Sequence, residues 1–254
     1  MKNDFGKLLA VFAIIAIAAG IGFSQFMGAG ADQEGDGLTK SDVQEIVKDY
    51  INENPGIIVE AFQKHRQQQQ EEQQRQQREQ FLENKDDILA SDYSPVVGNE
   101  SDDAVVVVEF FDYNCGYCKR AIDDVNKVID EHNVKFIFKE FPILSESSRT
   151  AARYALAAQE QGKYLEYHTA LMEYKGQKNE ENLLDLAEEI GLDPEKLKED
   201  AQSGKVEEEL QKNKELAQKI GVRGTPAFII GDNISPGYIP YSQMKTLIEQ
   251  AQEG

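Results

Sequence analysis

Apolar residues are unevenly distributed along the chain, and the first run of them lies near the amino terminus. Leu8 to Phe23 contains no charged residue, and two lysines precede it. A basic start, an apolar stretch and then small residues are typical of an export signal, with Ala29-Gly30-Ala31 as a cleavage site. Extended through Met27, the run has about 20 residues, enough to cross a bilayer uncleaved. We therefore expect residues 1–31 to be a signal peptide or a signal anchor, with the remainder outside the cytoplasm.

Residues 38–90 show helical periodicity divided into an apolar half and a polar half. Thr39 followed by Asp42 predicts a capping box, and Asn54-Pro55 predicts an interruption at which the helix restarts. Gln63 to Gln80 has no apolar side chain and includes ten glutamines. Because these residues are good helix formers that cannot bury themselves, they predict a solvated helical arm. The apolar residues before the arm recur at helical spacing: Val43, Ile46, Val47, Tyr50, Ile51, Ile57, Ile58, Ala61 and Phe62.

This apolar stripe needs a partner, and two interpretations are open. It can fold back on the rest of its own chain, or it can associate with the same stripe of other copies, held apart from the main domain by the polar arm. We favour the second interpretation. Residues 38–90 are therefore predicted to be an N-terminal helical oligomerisation segment with a Gln-rich arm.

The pattern changes after residue 92, where short apolar runs alternate with helical periods. Ala104 to Phe111 predicts a strand covered on both faces, and Val134 to Phe138 predicts a second strand. The helical period between them completes a βαβ unit. Residues 145–220 have only helical periodicity, which predicts an all-helical insertion. The last two predicted elements are a strand at Ala227 to Ile230 and a helix at Ser242 to Ala251, so residues 92–254 form an α/β domain.

Composition and charge exclude some functions. Hydrophobic residues make up 40% of the chain, so most of it can form a packed core. Lys and Arg number 27 against 46 Asp and Glu, a formal charge of -19. Such a protein is repelled by nucleic acid and by anionic lipid, so we expect no nucleic-acid partner.

The only two cysteines, Cys115 and Cys118, stand as CxxC at the predicted junction of a strand and a helix. A structural disulfide here would close so short a loop that it would stabilise the fold by only roughly 2 kcal/mol. A zinc site would need further ligands at matching spacing, whereas the three histidines are scattered singly. A redox-active dithiol is the interpretation we favour.

Each cysteine has a chemical reason for its place in a redox pair. A helix start offers free N–H groups and a partial positive charge, which stabilise a thiolate and lower its pKa. Cys115 is therefore the predicted nucleophile. Cys118, one helical turn further on, is the predicted resolving thiol that attacks the mixed disulfide and releases the substrate.

A second motif, Gly221-Val222-Arg223-Gly224-Thr225-Pro226, stands immediately before the last predicted strand. Together with Phe110 to Cys118 (FFDYNCGYC) it resembles the thioredoxin superfamily, and the helical insertion resembles its DsbA-like branch of periplasmic thiol-disulfide oxidoreductases. The resemblance covers about Ala104 to Ala251. It implies a thioredoxin-like fold with an inserted helical subdomain, preceded here by the helical arm, and it implies no cofactor and no metal.

The resemblance also implies roles for individual residues. Thr225 and a cis Pro226 would face the CxxC motif and bind the extended backbone of a substrate. Glu109, six residues before Cys115, would lie beneath the motif and assist proton transfer from the inner thiol; a partly exposed strand glutamate is the alternative. Lys139 could accompany Glu109, but a one-residue change of strand register would turn it away. Tyr117 would contact substrate and tune the redox potential.

Gly116-Tyr117 and the threonine before proline resemble disulfide isomerases and reductases of the DsbC type. The stretch Tyr50 to Phe62 (YINENPGIIVEAF) resembles the amino-terminal region of the suppressor-of-copper-sensitivity protein C (ScsC) group, whose members trimerise through it. Together these resemblances imply a periplasmic, oligomeric disulfide isomerase that acts on misfolded exported proteins and is kept reduced by a DsbD-like membrane reductase. The alternatives are a monomeric dithiol oxidase and a non-enzymatic copper-binding protein.

Overall fold

In the computed structural model of this protein, residues 38–90 and 93–253 are described, without the side chains of residues 74 and 77. The predicted signal or anchor at residues 1–31 lies outside them. The chain divides into two compact units, Met1–Lys64 and His65–Gly254. Among the helices of the described ranges, none combines the length and the apolar character needed to cross a membrane.

In the first unit, helix α1 (Lys40–Glu53) begins as the sequence predicted. Thr39 Oγ1 accepts a hydrogen bond from the Asp42 N–H at 3.2 Å, and Asp42 Oδ2 accepts one from the Thr39 N–H at 2.8 Å, which completes the capping box. The helix ends at Asn54, whose side chain donates to the Tyr50 carbonyl. All 14 residues of α1 are exposed in the described structure, including its apolar side chains.

Helix α2 (Gly56–Glu83) starts one residue after Pro55 and contains the Gln-rich segment predicted to be helical. Every described side chain from Gln63 to Gln80 is exposed. A short helix, α3 (Lys85–Leu89), follows.

The end of α2 corrects the boundary expected at residue 90. Phe81 on α2 and Ile88 on α3 are completely buried. They pack in a cluster with Val108, Phe110 and Ile137 of the central sheet. Phe81 and Ile88 therefore belong to the core of the α/β domain, a role hidden in the sequence because two short apolar pairs separated by five polar residues show too little periodicity.

The second unit contains a five-stranded sheet in the order β1-β3-β2-β4-β5. The central strands β2 and β3 are parallel, with Glu109 opposite Phe138 and Phe111 opposite Glu140. Each of the three other pairings is antiparallel. The strands are β1 (Val96–Gly98), β2 (Val105–Phe111), β3 (Val134–Glu140), β4 (Ala227–Ile230) and β5 (Asn233–Pro236).

Helices cover both faces of the sheet. On one face, α4 and α10 and the helical insertion pack on a first cluster that includes Phe111, Phe138 and Phe228. On the other face, α3 and the end of α9 pack on the second cluster, around Phe110 and Ile137. The helices are α4 (Gly116–Glu131), α5 (Glu146–Ala158), α6 (Tyr164–Glu173), α7 (Glu180–Glu189), α8 (Pro194–Asp200), α9 (Gly204–Lys219) and α10 (Tyr241–Glu253).

The predicted fold is confirmed in this unit, including the βαβ core and the helical insertion, which runs from α5 to α9. Two strands were missed, β1 and β5. Both lie at the edges of the sheet and have only three or four residues, none of them buried. Such strands lack the apolar run by which β2, β3 and β4 are recognised.

Candidate active site

The CxxC motif lies where β2 gives way to α4. Cys115 is the N-cap residue of α4, and its Sγ accepts a hydrogen bond from the Cys118 N–H at 3.4 Å. The turn before the helix is closed by the Cys115 N–H, which donates to the Asp112 carbonyl at 3.0 Å. Both cysteines are free thiols and both are buried. The structure thus presents the reduced dithiol at a helix start.

The pKa values of the two thiols are moved in opposite directions. Hydrogen bonding from the Cys118 thiol is the largest cause that lowers the pKa of Cys115, to about 5, and the Thr225 side chain and the N–H groups of Cys118 and Tyr117 contribute. Burial strongly raises the pKa of Cys118. At neutral pH the outer sulfur is therefore a thiolate and the inner one is a thiol, which is the division of labour expected of a nucleophile and a resolving thiol.

The loop before β4 brings Thr225 and Pro226 to this dithiol. The Thr225-Pro226 peptide bond is cis, as the resemblance implied. The Cys115 thiol donates to the Thr225 carbonyl oxygen at 3.1 Å. Antiparallel pairing of β4 with β2, which sets Ala227 opposite Phe110, places the loop at the same end of the sheet as the CxxC motif. Two segments far apart in sequence therefore meet at one sulfur atom.

Glu109 lies beneath the motif. It shares a sheet face with Phe111 and with the residues against which α4 packs Cys118, and only 3% of its surface is exposed. Burial is the main cause that raises the pKa of Glu109, and the nearby Cys115 thiolate adds to it. The charge of Glu109 in turn helps to raise the pKa of Cys118. The carboxyl is thus buried and electrostatically coupled to both thiols, rather than partly exposed on a strand.

Tyr117 is exposed at the opposite, outer side of the motif. Across residues 93–253, the large hydrophobic side chains that remain exposed are Tyr117, Ile143 and Leu144. Ile143 and Leu144 are held next to the motif by their N–H groups, which both donate to Asp112 Oδ2 at 2.9 Å. We call these three residues the apolar rim. Of these three residues, only Tyr117 was predicted from the sequence.

Lys139 is not the companion of Glu109. It lies on the opposite face of the sheet, where its ammonium donates to the Ala90 carbonyl at 2.7 Å and to Ser94 Oγ at 2.8 Å. The next residue, Glu140, is on the face of Glu109, because neighbouring residues of a strand point to opposite faces. Glu140 was not predicted from the sequence, and the signal that could have indicated it was a charged residue at the end of an otherwise buried strand.

Glu140 anchors a buried polar cluster next to the motif. Its Oε1 accepts hydrogen bonds from the hydroxyls of Tyr113 at 2.9 Å and Tyr164 at 3.2 Å, and the Tyr113 hydroxyl also lies 2.9 Å from His168 Nδ1. Burial raises the pKa of Glu140 and lowers that of His168 to about 3. The cluster connects the helical insertion to Tyr113, two residues before Cys115.

The structure therefore brings all six predicted site residues, Glu109, Cys115, Tyr117, Cys118, Thr225 and Pro226, to one end of the sheet. This arrangement can perform thiol-disulfide exchange, since it offers an activated outer thiolate, an inner thiol and a buried carboxyl group. Within residues 38–90 and 93–253, no three His, Cys, Asp or Glu side chains are grouped as metal ligands would be.

Comparison with known proteins supports this chemistry. Residues 106–249 match the model of the DSBA-like thioredoxin domain, and residues 40–72 match the N-terminal domain of the copper resistance protein ScsC. The chain is 31% identical over 176 residues to disulfide bond formation protein D of Bacillus subtilis (strain 168), covering 63% of this chain and 78% of that protein.

Solved structures show the same relationship. A thioredoxin-like oxidoreductase from Silicibacter pomeroyi DSS-3 is 43% identical, with a TM-score of 0.64 over 67% of this chain and 99% of that one. The catalytic domain of Proteus mirabilis ScsC is 30% identical, with a TM-score of 0.62 over 70% of this chain and 99% of that one. The family model spans more than half of the sequence and contains the CxxC motif, the helical insertion and the Thr225-Pro226 loop. The chain belongs to the DsbA-like thioredoxin family of thiol-disulfide oxidoreductases.

Proposed function

We propose that this protein is an exported, oligomeric disulfide isomerase whose reacting groups are Cys115 and Cys118. The observation that carries the isomerase assignment is the exposed apolar stripe of α1. An apolar stripe exposed to water is unfavourable and favours association, and we propose that its partners are other copies of the chain. The match of residues 40–72 to the ScsC N-terminal domain supports this assignment.

The proposed reaction begins with the Cys115 thiolate. It attacks one sulfur of a wrong disulfide in the client, which forms a mixed disulfide and expels the second client sulfur as a thiolate. Another client thiolate can then attack the mixed disulfide, so that a new client disulfide forms and Cys115 leaves as a thiolate. No net oxidation occurs on this route.

A second route releases clients that do not rearrange. Cys118 gives up its proton, with Glu109 as the acceptor, and attacks Cys115, which forms the Cys115–Cys118 disulfide and leaves the client reduced by two electrons. The protein must then be reduced again, and we propose a membrane thiol reductase of the DsbD type as the electron source. We also propose a periplasmic location, in which the segment 1–31 directs export.

The apolar rim and the Thr225-Pro226 loop are the proposed contacts for the client. The loop carbonyl at Thr225 is already a hydrogen-bond acceptor next to Cys115, and the rim offers exposed apolar side chains. Several such sites on one oligomer would give a bound client a high effective concentration of thiolates.

The test uses the full exported chain and Val47→Asp, which places a charge in the middle of the α1 stripe. Sedimentation gives the oligomeric state, reactivation of scrambled ribonuclease gives isomerase activity, and insulin reduction gives simple reductase activity. We expect Val47→Asp to dissociate and to lose reactivation while retaining insulin reduction. Ser41→Asp is the matched control, because Ser41 lies nine residues from Tyr50 and therefore on the opposite side of the helix.

Two results would overturn the proposal. If Val47→Asp is monomeric and still reactivates scrambled ribonuclease at the wild-type rate, association is not needed for isomerisation. If the wild-type protein does not reactivate it but its disulfide form rapidly oxidises a reduced client, the protein is a dithiol oxidase. The dithiol oxidase is the second candidate function, and it is favoured by the similarity of this chain to a protein named disulfide bond formation protein D.

A further inference from the structure

An open cavity of about 770 Å³ lies in the helical insertion, next to the loop that carries the dithiol. Ser147, which lines it, accepts a hydrogen bond at 2.9 Å from the side chain of Asn114, the residue before Cys115. One wall of the cavity is therefore hydrogen-bonded to the residue next to Cys115. The residues that line the cavity are mostly polar, so its ligand must be polar as well.

Lys178 is the unusual residue of this cavity. It is only 5% exposed, and its ammonium makes one hydrogen bond, to the Tyr174 carbonyl, at a long 3.4 Å. Normal N–H···O distances are about 2.7–3.2 Å. In the described part of the chain, Lys178 has no ion-pair partner. Buried ammonium groups are normally paired with an anion, because desolvation of an unpaired charge costs on the order of several kcal/mol.

The charges around Lys178 do not supply the missing anion. Lys119 lies beside it, and burial together with this second cation lowers the pKa of Lys178 to about 8. At neutral pH the ammonium form still predominates. The nearby carboxylate of Asp112 already accepts hydrogen bonds from the N–H groups of Asn114, Ile143 and Leu144 at 2.7–2.9 Å. It is thus engaged in holding the apolar rim.

The remainder of the cavity wall favours an anion as well. Arg153 lines the cavity, and in the described structure its hydrogen bond is from Nε to the Ala201 carbonyl at 3.0 Å. The amino-terminal residues of α5 and α7 also line it, and helix starts carry a partial positive charge. Two carboxylates oppose this trend: Glu180, which is paired with Lys198 at 2.6 Å, and Glu146, which is exposed.

We propose that this cavity binds a carboxylate of the thiol or disulfide peptide that reacts at Cys115, with Lys178 and Arg153 as its cationic partners. The proposal rests on the proposed role of Cys115 and adds a substrate class to it. The carboxylate can belong to a small peptide disulfide or to an acidic residue of a client chain. Both offer the same group to Lys178, and an experiment can separate them.

The kinetic test uses the reduced full chain and two disulfides. Glutathione disulfide carries carboxylates, whereas bis(2-hydroxyethyl) disulfide carries no charge. We expect Lys178→Gln to slow the reaction with glutathione disulfide by about tenfold, the loss typical of a hydrogen bond to a charged group, and to leave the uncharged disulfide within about twofold. Lys175→Gln, which changes an exposed lysine of the same loop, should leave both rates unchanged. Glu146→Gln should accelerate the reaction with glutathione disulfide, because it removes a competing carboxylate.

A binding test separates the two sources and avoids the chemistry at sulfur. S-methylglutathione and a cysteine-free peptide with one acidic residue are titrated against the wild type and Lys178→Met, with NMR shifts of residues 178–182 as the readout. Shifts with the first ligand alone indicate a small-peptide substrate, and shifts with the second indicate a client chain; both support the proposal if Lys178→Met abolishes them. Thermal melting of the Met and Gln variants shows that each is folded.

Three results would overturn the carboxylate site. Lys178→Gln could slow both disulfides equally, it could slow neither, or sodium chloride alone could produce the same shifts as the carboxylate ligands at equal ionic strength. Failure of the underlying function looks different, because the wild type would then be unreactive towards the uncharged disulfide.

Discussion

The Sγ atom of Cys115 lies 3.1 Å from the carbonyl oxygen of Thr225, although the two residues are 110 positions apart. A carbonyl oxygen accepts a hydrogen bond from a thiol but offers nothing to a thiolate. When Cys115 ionises, its sulfur therefore relies on the Cys118 thiol, on the Thr225 side chain and on the N–H groups of the helix start. The Thr225 carbonyl is then free to accept a hydrogen bond from another donor, such as the backbone of a substrate.

This geometry predicts the pH dependence of Cys115. Its pKa is lowered from the ordinary 9.0 to about 5, so the rate of alkylation by iodoacetamide should rise with pH through a midpoint near 5. Because a lowered pKa stabilises the reduced folded form only where the thiolate is populated, this stabilisation should be complete above about pH 9 and vanish as the pH falls through 5. Stopped-flow alkylation of the reduced protein measures the midpoint, and Cys118→Ala, which removes the main hydrogen-bond donor, should raise it. A wild-type midpoint near 8.5 would contradict the prediction.

The buried position of Glu109 predicts a role in resolving the mixed disulfide. Glu109→Gln keeps the size of the side chain but removes the group that can take the proton of Cys118. We expect release of a trapped client by Cys118 to slow at least about tenfold. General acid–base catalysis typically contributes about 10²–10⁴-fold. The expected minimum loss is smaller than this because water can also accept the proton. Quench-flow decay of a preformed mixed disulfide measures this step.

Alkylation of Cys115 is the control for Glu109→Gln. The substitution should retain a low alkylation midpoint, since the groups that stabilise the Cys115 thiolate are the Cys118 thiol, the Thr225 side chain and backbone N–H groups. If resolution proceeds at the wild-type rate, Glu109 is a structural residue of the core.

Sequence patterns predicted the site well where the chemistry depends on local order. The CxxC motif at a helix start and the Thr-Pro motif before a strand can be recognised by residue type and spacing. The family resemblance then indicates that the two motifs lie close together in the fold. Glu140 was missed because a charged residue at a strand end looks exposed in sequence. Which face it occupies depends on the register of β2 with β3, and a shift of one residue exchanges Lys139 and Glu140.

The fold was predicted correctly where the apolar pattern is long. The prediction failed where only a few residues make the packing contacts. Strand β2 has seven residues, of which six are buried, and was recognised at once. Phe81 was assigned to the region of the polar arm because the 18 residues before it are polar. Its burial depends on contacts with β2 and β3, which no local pattern contains.

The packing of Phe81 predicts that the end of α2 contributes to the stability of the α/β domain. Phe81→Ala should lower the free energy of unfolding by about 3–5 kcal/mol, and Ile88→Ala by about 2–5 kcal/mol, because both leave cavities in a filled core. Leu82→Ala is the control, since Leu82 is 52% exposed and should change stability by less than about 0.5 kcal/mol. Urea unfolding of the reduced protein measures all three. Equal stability of Phe81→Ala and Leu82→Ala would show that residues 81–90 are not part of the domain core.

The apolar rim predicts a preference among client sequences. A client cysteine that reaches Cys115 places its neighbouring residues, about 3.3–3.6 Å apart along an extended chain, over Tyr117, Ile143 and Leu144. Cysteines are among the most buried residues of folded proteins, so the segments around them are rich in apolar side chains, which the rim can cover. We expect Ile143→Ser combined with Leu144→Ser to raise KM about tenfold for a disulfide peptide with leucines on both sides of its cysteine. Full burial of an apolar side chain is worth roughly 1.5–3 kcal/mol. The expected change in KM corresponds to a smaller energy, because an open rim buries each client side chain only in part.

The kinetic pattern separates recognition from damage to the active site. Because Asp112 holds residues 143 and 144 through their backbone N–H groups, serine at both positions should keep the loop in place and leave the alkylation rate of Cys115 unchanged. A peptide with serines beside its cysteine should then react equally with the wild type and the double variant. Leu82→Ser, an exposed leucine on α2, is the matched control and should change neither peptide. If the double variant loses the same factor with both peptides, Ile143 and Leu144 position the active site and do not select the client.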